Sequence, residues 1–503
     1  MKIILATLNA RYTHSSIGLR YLYANMQELM EHSRILEFSI NDAIQTIAEK
    51  VLDERPAVVG LGVYIWNATQ TYELIEVLKK VSPQTKIVLG GPEVSYEPFR
   101  VDFSKADFII QGEGDSAFYK LCKEIQSDTA PQEQIIKPVL ADLSQIRLPY
   151  QYYSQNDIDN RYIYVEASRG CPFMCEFCLS SIDEKVRNFN IDTLLSEFAR
   201  LWDLGVRNFK FIDRTFNLNM KFANAILDFF LSKEPPYFAH FEVIPDHFPE
   251  SIKHKIALFP AGALQLEIGI QTLNPQIAEN INRPLKIKKI KENLDFIENQ
   301  TKAHVHLDLI VGLPGEDLES FGDNLNELVS ISSSEIQIGI LKKLSGTTLE
   351  RHDREFGMRY SDIPPYDILS NDLLSFKDIQ KMKRFARFWD LTYNSGNFKK
   401  SITLLWSEDT VFESFFAFSQ WIYSQTDSTW KISLDRLSKL LFDYLTQELQ
   451  NNEERVADLL IQDLHKIKGR IIPSYLKPFA PAQTKHALTE HSQANKRQVK
   501  HVQ

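Results

Sequence analysis

The chain has 503 residues and a formal net charge of −9, with 44% hydrophobic and 24% charged residues. That length gives two or three domains with cores of their own, and the acidic balance argues against a general nucleic-acid-binding surface. No apolar run approaches the roughly 18 residues of a membrane span, and the four cysteines, three of them in one loop, do not make a disulfide framework and suggest a reducing cytosol.

From the amino end, Met1–Leu8 is apolar, but Asn9 and Arg11 interrupt it too early for a signal-peptide core, so it reads as a buried first strand of a cytoplasmic protein. Further strands are expected at Ile35–Ile40, Ala57–Val63, Lys86–Gly90 and Phe108–Gln111, after the first at Lys2–Leu8. Helical patterns at Ser16–Met30, Asp42–Glu54, Gln70–Val81 and Asp115–Gln126 lie between them. Such alternation implies a doubly wound parallel sheet over residues 1–140, which binds ligands beyond the carboxyl ends of its strands. Polar or glycine-rich segments stand at those ends: Asn9-Ala10-Arg11-Tyr12-Thr13-His14, Trp66-Asn67, Gly90-Gly91-Pro92 and Gly112-Glu113-Gly114. Paired glycines let a backbone approach a bulky ligand, although each could be plain turn chemistry. No GxGxxG follows the first strand, which disfavours a dinucleotide fold. Cys122 is expected to be a small buried apolar residue.

Pro138–Pro149 reads as a linker, and Tyr162–Glu166 as the strand that opens the second domain. Its loop carries Cys171-Pro172-Phe173-Met174-Cys175-Glu176-Phe177-Cys178. Three thiolates within eight residues can converge on one inorganic centre, an iron–sulfur cluster, zinc or copper(I). A cuboidal cluster normally takes four protein ligands, so three leave one iron open. The zinc alternative, a zinc-stabilised binding module, would need a fourth ligand such as histidine, and no histidine lies within twenty residues of the triad. Five more strands are expected at Asn208–Asp213, Tyr237–Val243, Leu264–Gln271, His304–Val311 and Glu335–Leu341, separated by helical segments such as Ile191–Leu204 and Phe222–Leu231. Six such units are too few for an eight-fold barrel, and reactive groups in barrels of this kind sit at the carboxyl ends of strands. From Asp362 onward the pattern is helical and aromatic, the core of a helical region at 346–480, and 483–503 reads as a solvated tail.

The CxxxCxxC spacing, with Phe177 before the last cysteine, resembles the signature of the radical S-adenosylmethionine (SAM) enzymes. The resemblance implies a partial (β/α)6 barrel over 150–345 and a [4Fe-4S] cluster held by Cys171, Cys175 and Cys178. It further implies that SAM binds the open iron and is cleaved to a 5′-deoxyadenosyl radical by one electron, from a donor such as flavodoxin or ferredoxin. It suggests SAM contacts at Asp213, Glu242 and Gln271, and at Gly312 and Pro314 of the turn Gly312-Leu313-Pro314-Gly315-Glu316. Arg214 departs from the second acid usual after Asp213, and Asp213 could instead cap a helix. The first domain resembles the cobalamin-binding domain found ahead of many radical SAM cores, through Val88-Leu89-Gly90-Gly91-Pro92 and Gly112-Glu113-Gly114. That implies a corrinoid met by Asn9, Tyr12, Trp66, Gly90, Gly91, Gly112 and Glu113. The DxHxxG motif that gives cobalt a histidine is absent, so cobalamin would bind without it; His14 is a conceivable substitute, set against a solvated loop histidine. The resemblance points to a cobalamin-dependent methyltransferase acting on an unactivated carbon, with a non-methylating rearrangement or ring closure as the alternative. A methylthiotransferase is disfavoured because Cys122 is the only cysteine before Cys171.

Overall fold

The computed structural model describes residues 1–406, 409–467 and 470–480, so the expected tail at 483–503 lies outside the described residues. The chain divides into two compact units. One comprises Met1–Arg214 with Lys342–Arg351 and Tyr360–Asp367; the other holds the remainder.

The first unit opens on β1 (Ile3–Asn9), every residue of which is buried. Apolar residues on both faces suit a strand covered by helices above and below, each fully buried Ile or Leu contributing roughly 1.5–3 kcal/mol. Then come α1 (Ile17–Ala24), β2 (Ser33–Ser39), α2 (Ile44–Asp53), β3 (Val58–Gly62), α3 (Ala68–Val81), β4 (Lys86–Gly90), β5 (Phe108–Ile110), α4 (Ala117–Gln126) and β6 (Ile135–Ile136). The sheet is parallel with the order β2-β1-β3-β4-β5-β6. The order reverses between β1 and β3, which makes their carboxyl ends the switch point where such sheets open a crevice. The first expected helix is shorter than its pattern: α1 stops at Ala24 and a tighter turn covers Gln27–His32.

The same unit continues through α5 (Gln155–Asn160), β7 (Ile163–Val165), β8 (Ser168–Arg169), β9 (Arg187–Asn188), α6 (Ile191–Asp203) and β10 (Asn208–Phe211). β7 and β10 pair in parallel, and the two-residue strands β8 and β9 pair antiparallel, pinching the base of the cysteine loop. A buried ionic network ties α5 to the first sheet. Arg20 donates to Asp157 (2.8 Å) and Glu37 (2.9 Å), and Arg161 donates to Glu37 (3.0 Å).

The second unit holds α7 (Met220–Leu231), β11 (Phe238–Val243), α8 (Glu250–Leu258), β12 (Leu264–Gln271), α9 (Pro275–Asn280), α10 (Ile287–Gln300), β13 (His304–Val311), α11 (Leu318–Ile331) and β14 (Glu335–Ile340). β11 to β14 pair in parallel in sequence order, with a bulge between Gly269 and Gln271. Burial alternates strictly along β13, one face packed and the other facing less enclosed space. The helical region then adds α12 (Phe376–Thr392), α13 (Val411–Thr426), α14 (Leu434–Asp443) and α15 (Glu453–His465). Several of its aromatic side chains, among them Phe385, Trp389 and Phe415, are fully buried and form a core. Among the described residues no helix is long and apolar enough to cross a membrane.

Candidate active site

Gly170 fixes how the cysteine loop leaves β8. Its φ is +91°, and a Cβ there would lie 2.4 Å from the Lys185 carbonyl oxygen, so the position requires glycine. The Cys171 amide then donates to the Asp183 carbonyl (2.9 Å), and the Ser181 hydroxyl donates to the carbonyls of Cys175 (3.0 Å) and Cys178 (2.6 Å). These bonds fold the loop back on itself. Cys171 and Cys175 are buried, Cys178 is half-buried beside Phe177, and all three thiols are free of disulfides. Glu176 is buried and accepts from Arg351 Nε (2.8 Å).

Asp213, expected from the resemblance to meet the SAM ammonium, is buried and faces the segment that leads into this loop. It accepts from the Ala167 amide (2.9 Å) and the Ser168 hydroxyl (2.5 Å). Burial pushes its carboxyl up to about 7, against the pull of those two donors. Glu166, buried beside it, is raised by the same loss of solvent, with Arg169 opposing.

Two cavities adjoin the loop within the first unit. One, of about 230 Å³, is walled by Gly60, Gly62, Gly90, Gly91, Gly112 and Gly114 together with Tyr64, Glu113, Asp115 and Arg169. The other, of about 680 Å³, is lined by Asn9, His14, Tyr64, Trp66, Tyr164, Ser168, Arg169, Gly170, Ser180 and Arg214, among others. Gly18, Tyr21, Tyr64 and Arg169 are walls of both. The glycines account for the space. At Gly112 a Cβ would meet nothing within 4 Å, and at Gly90 nothing nearer than 3.9 Å, so a side chain at either would project into the cavity. Gly91, at φ +112°, lies with its missing Cβ 2.5 Å from the Val63 carbonyl. Such a cradle fits a bulky ligand approached by bare backbone.

Trp66 lies flat on Tyr64, ring centroids 4.5 Å apart and 6° from parallel, and its indole NH donates to the Leu8 carbonyl (3.2 Å). The His14 Nδ1 is 2.5 Å from the Tyr164 hydroxyl, and burial, then Lys210 and Arg11, lower the pKa of its imidazole. Asn9 is buried and donates to Glu37 (3.0 Å). Tyr12 is more than half exposed and packs under the Arg161 guanidinium, outside the walls of both cavities. Glu113 accepts from Arg187 (2.6 Å); burial alone would raise its pKa, but Arg187 and Arg169 outweigh it and lower it.

In the second unit, Gly312 has φ +90° and its missing Cβ would lie 2.9 Å from the Ile368 side chain. The Pro314 carbonyl accepts from Asn280 (2.8 Å), and the buried Glu316 accepts from Asn324 (3.2 Å). Gln271 stands at the β12 bulge with φ +68°. Glu242, Glu267 and Asp308 form a group of carboxylates on β11 to β13. Burial, then the charges of Glu267 and Glu242, push Asp308 well up, with Arg283 opposing.

Several of these residues escape a reading of the sequence. Gly60 and Gly62 lie inside a strand run, Tyr64 looks like a core residue, and Arg169 reads only as the residue before a glycine.

Comparison with known proteins defines the class. The family description "B12 binding domain" matches residues 3–122, and "Radical SAM superfamily" matches residues 165–328. The chain is thus a radical SAM enzyme with a B12-binding domain ahead of its radical SAM domain, and the zinc-module alternative falls away. The cluster, SAM and cobalamin expected from the sequence are the cofactors of those two domains. The description "Protein of unknown function (DUF4080)" matches residues 354–503, which take in the helical region and the carboxyl end of the chain.

Curated relatives align with about two thirds of the chain. An uncharacterised methyltransferase of Pyrococcus horikoshii is 23% identical over 67% of this chain and 78% of its own. The cobalamin-dependent radical SAM methyltransferase TokK of Streptomyces tokunonensis is 23% identical over 63% of this chain, which spans about half of TokK's length (51%). Two solved structures share the fold. OxsB, a cobalamin-dependent SAM radical enzyme with aqua-cobalamin bound, has a TM-score of 0.60 at 12% identity over 92% of this chain and 80% of that one. The radical SAM methyltransferase TsrM of Kitasatospora setae, with cobalamin and a [4Fe-4S] cluster bound, has 0.59 at 14% identity over 72% and 78%.

Proposed function

We propose that this chain is a cobalamin-dependent methyltransferase that uses SAM radical chemistry on an unactivated carbon. The observation that carries the reading is that Arg169, two residues before Cys171, is a wall both of the glycine-rich cavity at the strand ends and of the larger cavity beside it. The cysteine triad and the space for a large cofactor are thereby tied to one side chain. The names of the relatives support the same reading.

Bound there, the cluster, SAM and the corrinoid would supply one-electron chemistry and a transferable methyl group. The chain's own part is placement. Cys171, Cys175 and Cys178 offer three thiolates from one loop, the set that leaves an iron–sulfur centre a vacant position. Gly90, Gly91 and Gly112 give a corrinoid room, Trp66 braced on Tyr64 offers it a flat apolar face, and Asn9 and Glu113 complete the lining; Tyr12, expected from the sequence to meet it, lies outside both cavities and has no part in this reading. His14, engaged with Tyr164, is not needed as a cobalt ligand in this reading. Phe177, Asp213, Glu242, Gln271, Gly312 and Pro314 are the residues assigned to SAM. Among them Asp213 acts as a positioning residue, because its oxygens are taken up by Ala167 and Ser168. The electron comes from a separate donor of the flavodoxin or ferredoxin kind.

Purification of the full chain under anaerobic conditions with added hydroxocobalamin tests this. The expected result is about one corrinoid per chain retained through desalting, together with iron. A chain that holds iron and cleaves SAM yet retains no corrinoid would refute the methyltransferase reading while leaving the radical chemistry in place.

A further inference from the structure

In the second unit, three side chains bring their donor atoms together as metal ligands do: His304, His306 and Glu335. The arrangement follows from strand geometry. Residues two apart on β13 share a face, so His304 and His306 stand side by side. The parallel register sets Glu335, the first residue of β14, directly beside His306.

The distances are those of a coordination shell. The two Nε2 atoms are 2.9 Å apart; His304 Nε2 is 3.1 Å from Glu335 Oε1, and His306 Nε2 is 3.5 Å from Glu335 Oε2. A tetrahedral zinc ion with nitrogen and oxygen ligands at about 2.0–2.1 Å sets those ligands about 3.3 Å apart. The imidazole rings are 80° from parallel, so their Nε2 lone pairs approach one point from different directions. Two such nitrogens this close share one proton or one cation. Behind His306, the carboxamides of Gln265 and Gln337 lie 3.1 and 2.8 Å from Nδ1. Either one, with its oxygen turned inward, accepts the Nδ1 proton and leaves Nε2 free to coordinate, the usual support of a ligating histidine. Glu335 is fully buried, where a carboxylate needs a countercharge. It also lines a cavity of about 360 Å³, from which a water could complete the shell.

We propose that His304, His306 and Glu335 bind a divalent cation of the zinc class. Two imidazoles and one carboxylate favour zinc over the oxygen-seeking magnesium and calcium. Its role is a staple between β13 and β14 at their amino ends. β14 is the strand that the helical region grips, since the Ile336 amide donates to the Asn394 side chain (2.9 Å) and that side chain donates back to the Ile336 carbonyl (2.8 Å). The cation would hold this strand in register where the helical region attaches.

The test uses the full chain with the iron of its cysteine loop reconstituted, so that those thiolates are occupied. Zinc chloride is added, excess is removed by desalting, and zinc per chain is measured by mass spectrometry and its ligands by X-ray absorption at the zinc edge. The expected result is one zinc per chain with nitrogen and oxygen ligands only, and a rise in unfolding temperature on zinc addition. His306→Ala and the isosteric Glu335→Gln should each weaken zinc binding at least roughly tenfold and abolish that rise, with iron unchanged. If His306→Ala does not fold, Glu335→Gln alone carries the comparison. Wild-type protein that retains no zinc, zinc held equally by the variants, or sulfur in the zinc shell overturns the proposal.

Discussion

The Arg169 guanidinium and the Asp115 carboxylate form a two-pronged pair, Nη1 to Oδ2 at 2.8 Å and Nη2 to Oδ1 at 3.1 Å. Asp115 follows the glycine turn after β5, and Arg169 ends the short strand before Gly170 and Cys171. Arg169 also donates to Glu166 through Nε (3.1 Å) and Nη2 (3.0 Å). Burial would lower the pKa of this guanidinium, but Glu166 and Asp115 outweigh it and raise it, so the charge is permanent. A lysine keeps the charge and loses both forks. Arg169→Lys should therefore destabilise the chain by ~1–3 kcal/mol, and Arg169→Ala, which strands buried carboxylates, by ~3–5 kcal/mol. Denaturant unfolding measures both, and corrinoid retention should fall in each.

Gly90 tests the cavity separately from the cysteine loop. Its backbone lies outside the left-handed region, and a Cβ there has open space before it. Gly90→Leu should fold, fill part of the cavity and lower corrinoid retention at least tenfold, while iron per chain stays at the wild-type level. Equal loss of iron and corrinoid would mean that the substitution had acted on the fold.

Gly170 makes the opposite prediction. An alanine there is strained both by φ +91° and by the Lys185 carbonyl, a cost of ~1–3 kcal/mol. Gly170→Ala should lower iron per chain in anaerobic reconstitution. Cys122→Ala, in contrast, alters a buried thiol whose pKa burial pushes up to about 12, and should leave iron unchanged.

The cysteine triad is legible because its chemistry is local, eight residues on one turn. Strands such as β1 are legible because burial on two faces leaves an apolar run, and β13 because its burial alternates residue by residue; β6, two residues long, is too short to register. Gly90, Gly91 and Gly112 stand out at strand ends, whereas Gly60 and Gly62 are hidden within β3. Arg169 and the His304, His306 and Glu335 group are invisible for another reason: Asp115 lies 54 residues before Arg169 and Glu335 lies 31 residues after His304, and it is the register of β13 and β14 that sets Glu335 beside the histidines. Asp213 is legible as an acid after a strand, but where its oxygens point depends on Ala167 and Ser168, 46 and 45 residues earlier.

Asp213 also gives the stability of the first unit a pH dependence. Its folded pKa of about 7 lies above the unfolded carboxylate value of roughly 3.9, so the stability it contributes is complete below the unfolded value and is lost as pH rises through 7. The slope reaches about 1.4 kcal/mol per pH unit between those limits. Asp213→Asn should flatten it, seen as a smaller drop in unfolding midpoint between pH 5 and pH 8 than in the wild type.

The most direct test is anaerobic reconstitution of the wild type beside Cys171→Ala, Cys175→Ala and Cys178→Ala, with the broad charge-transfer absorbance of the cluster and the cleavage of SAM both recorded. The wild type should show both, and each variant should lose both. A variant that keeps its absorbance and still cleaves SAM would contradict the assignment of the three thiolates as the ligands on which the chemistry depends.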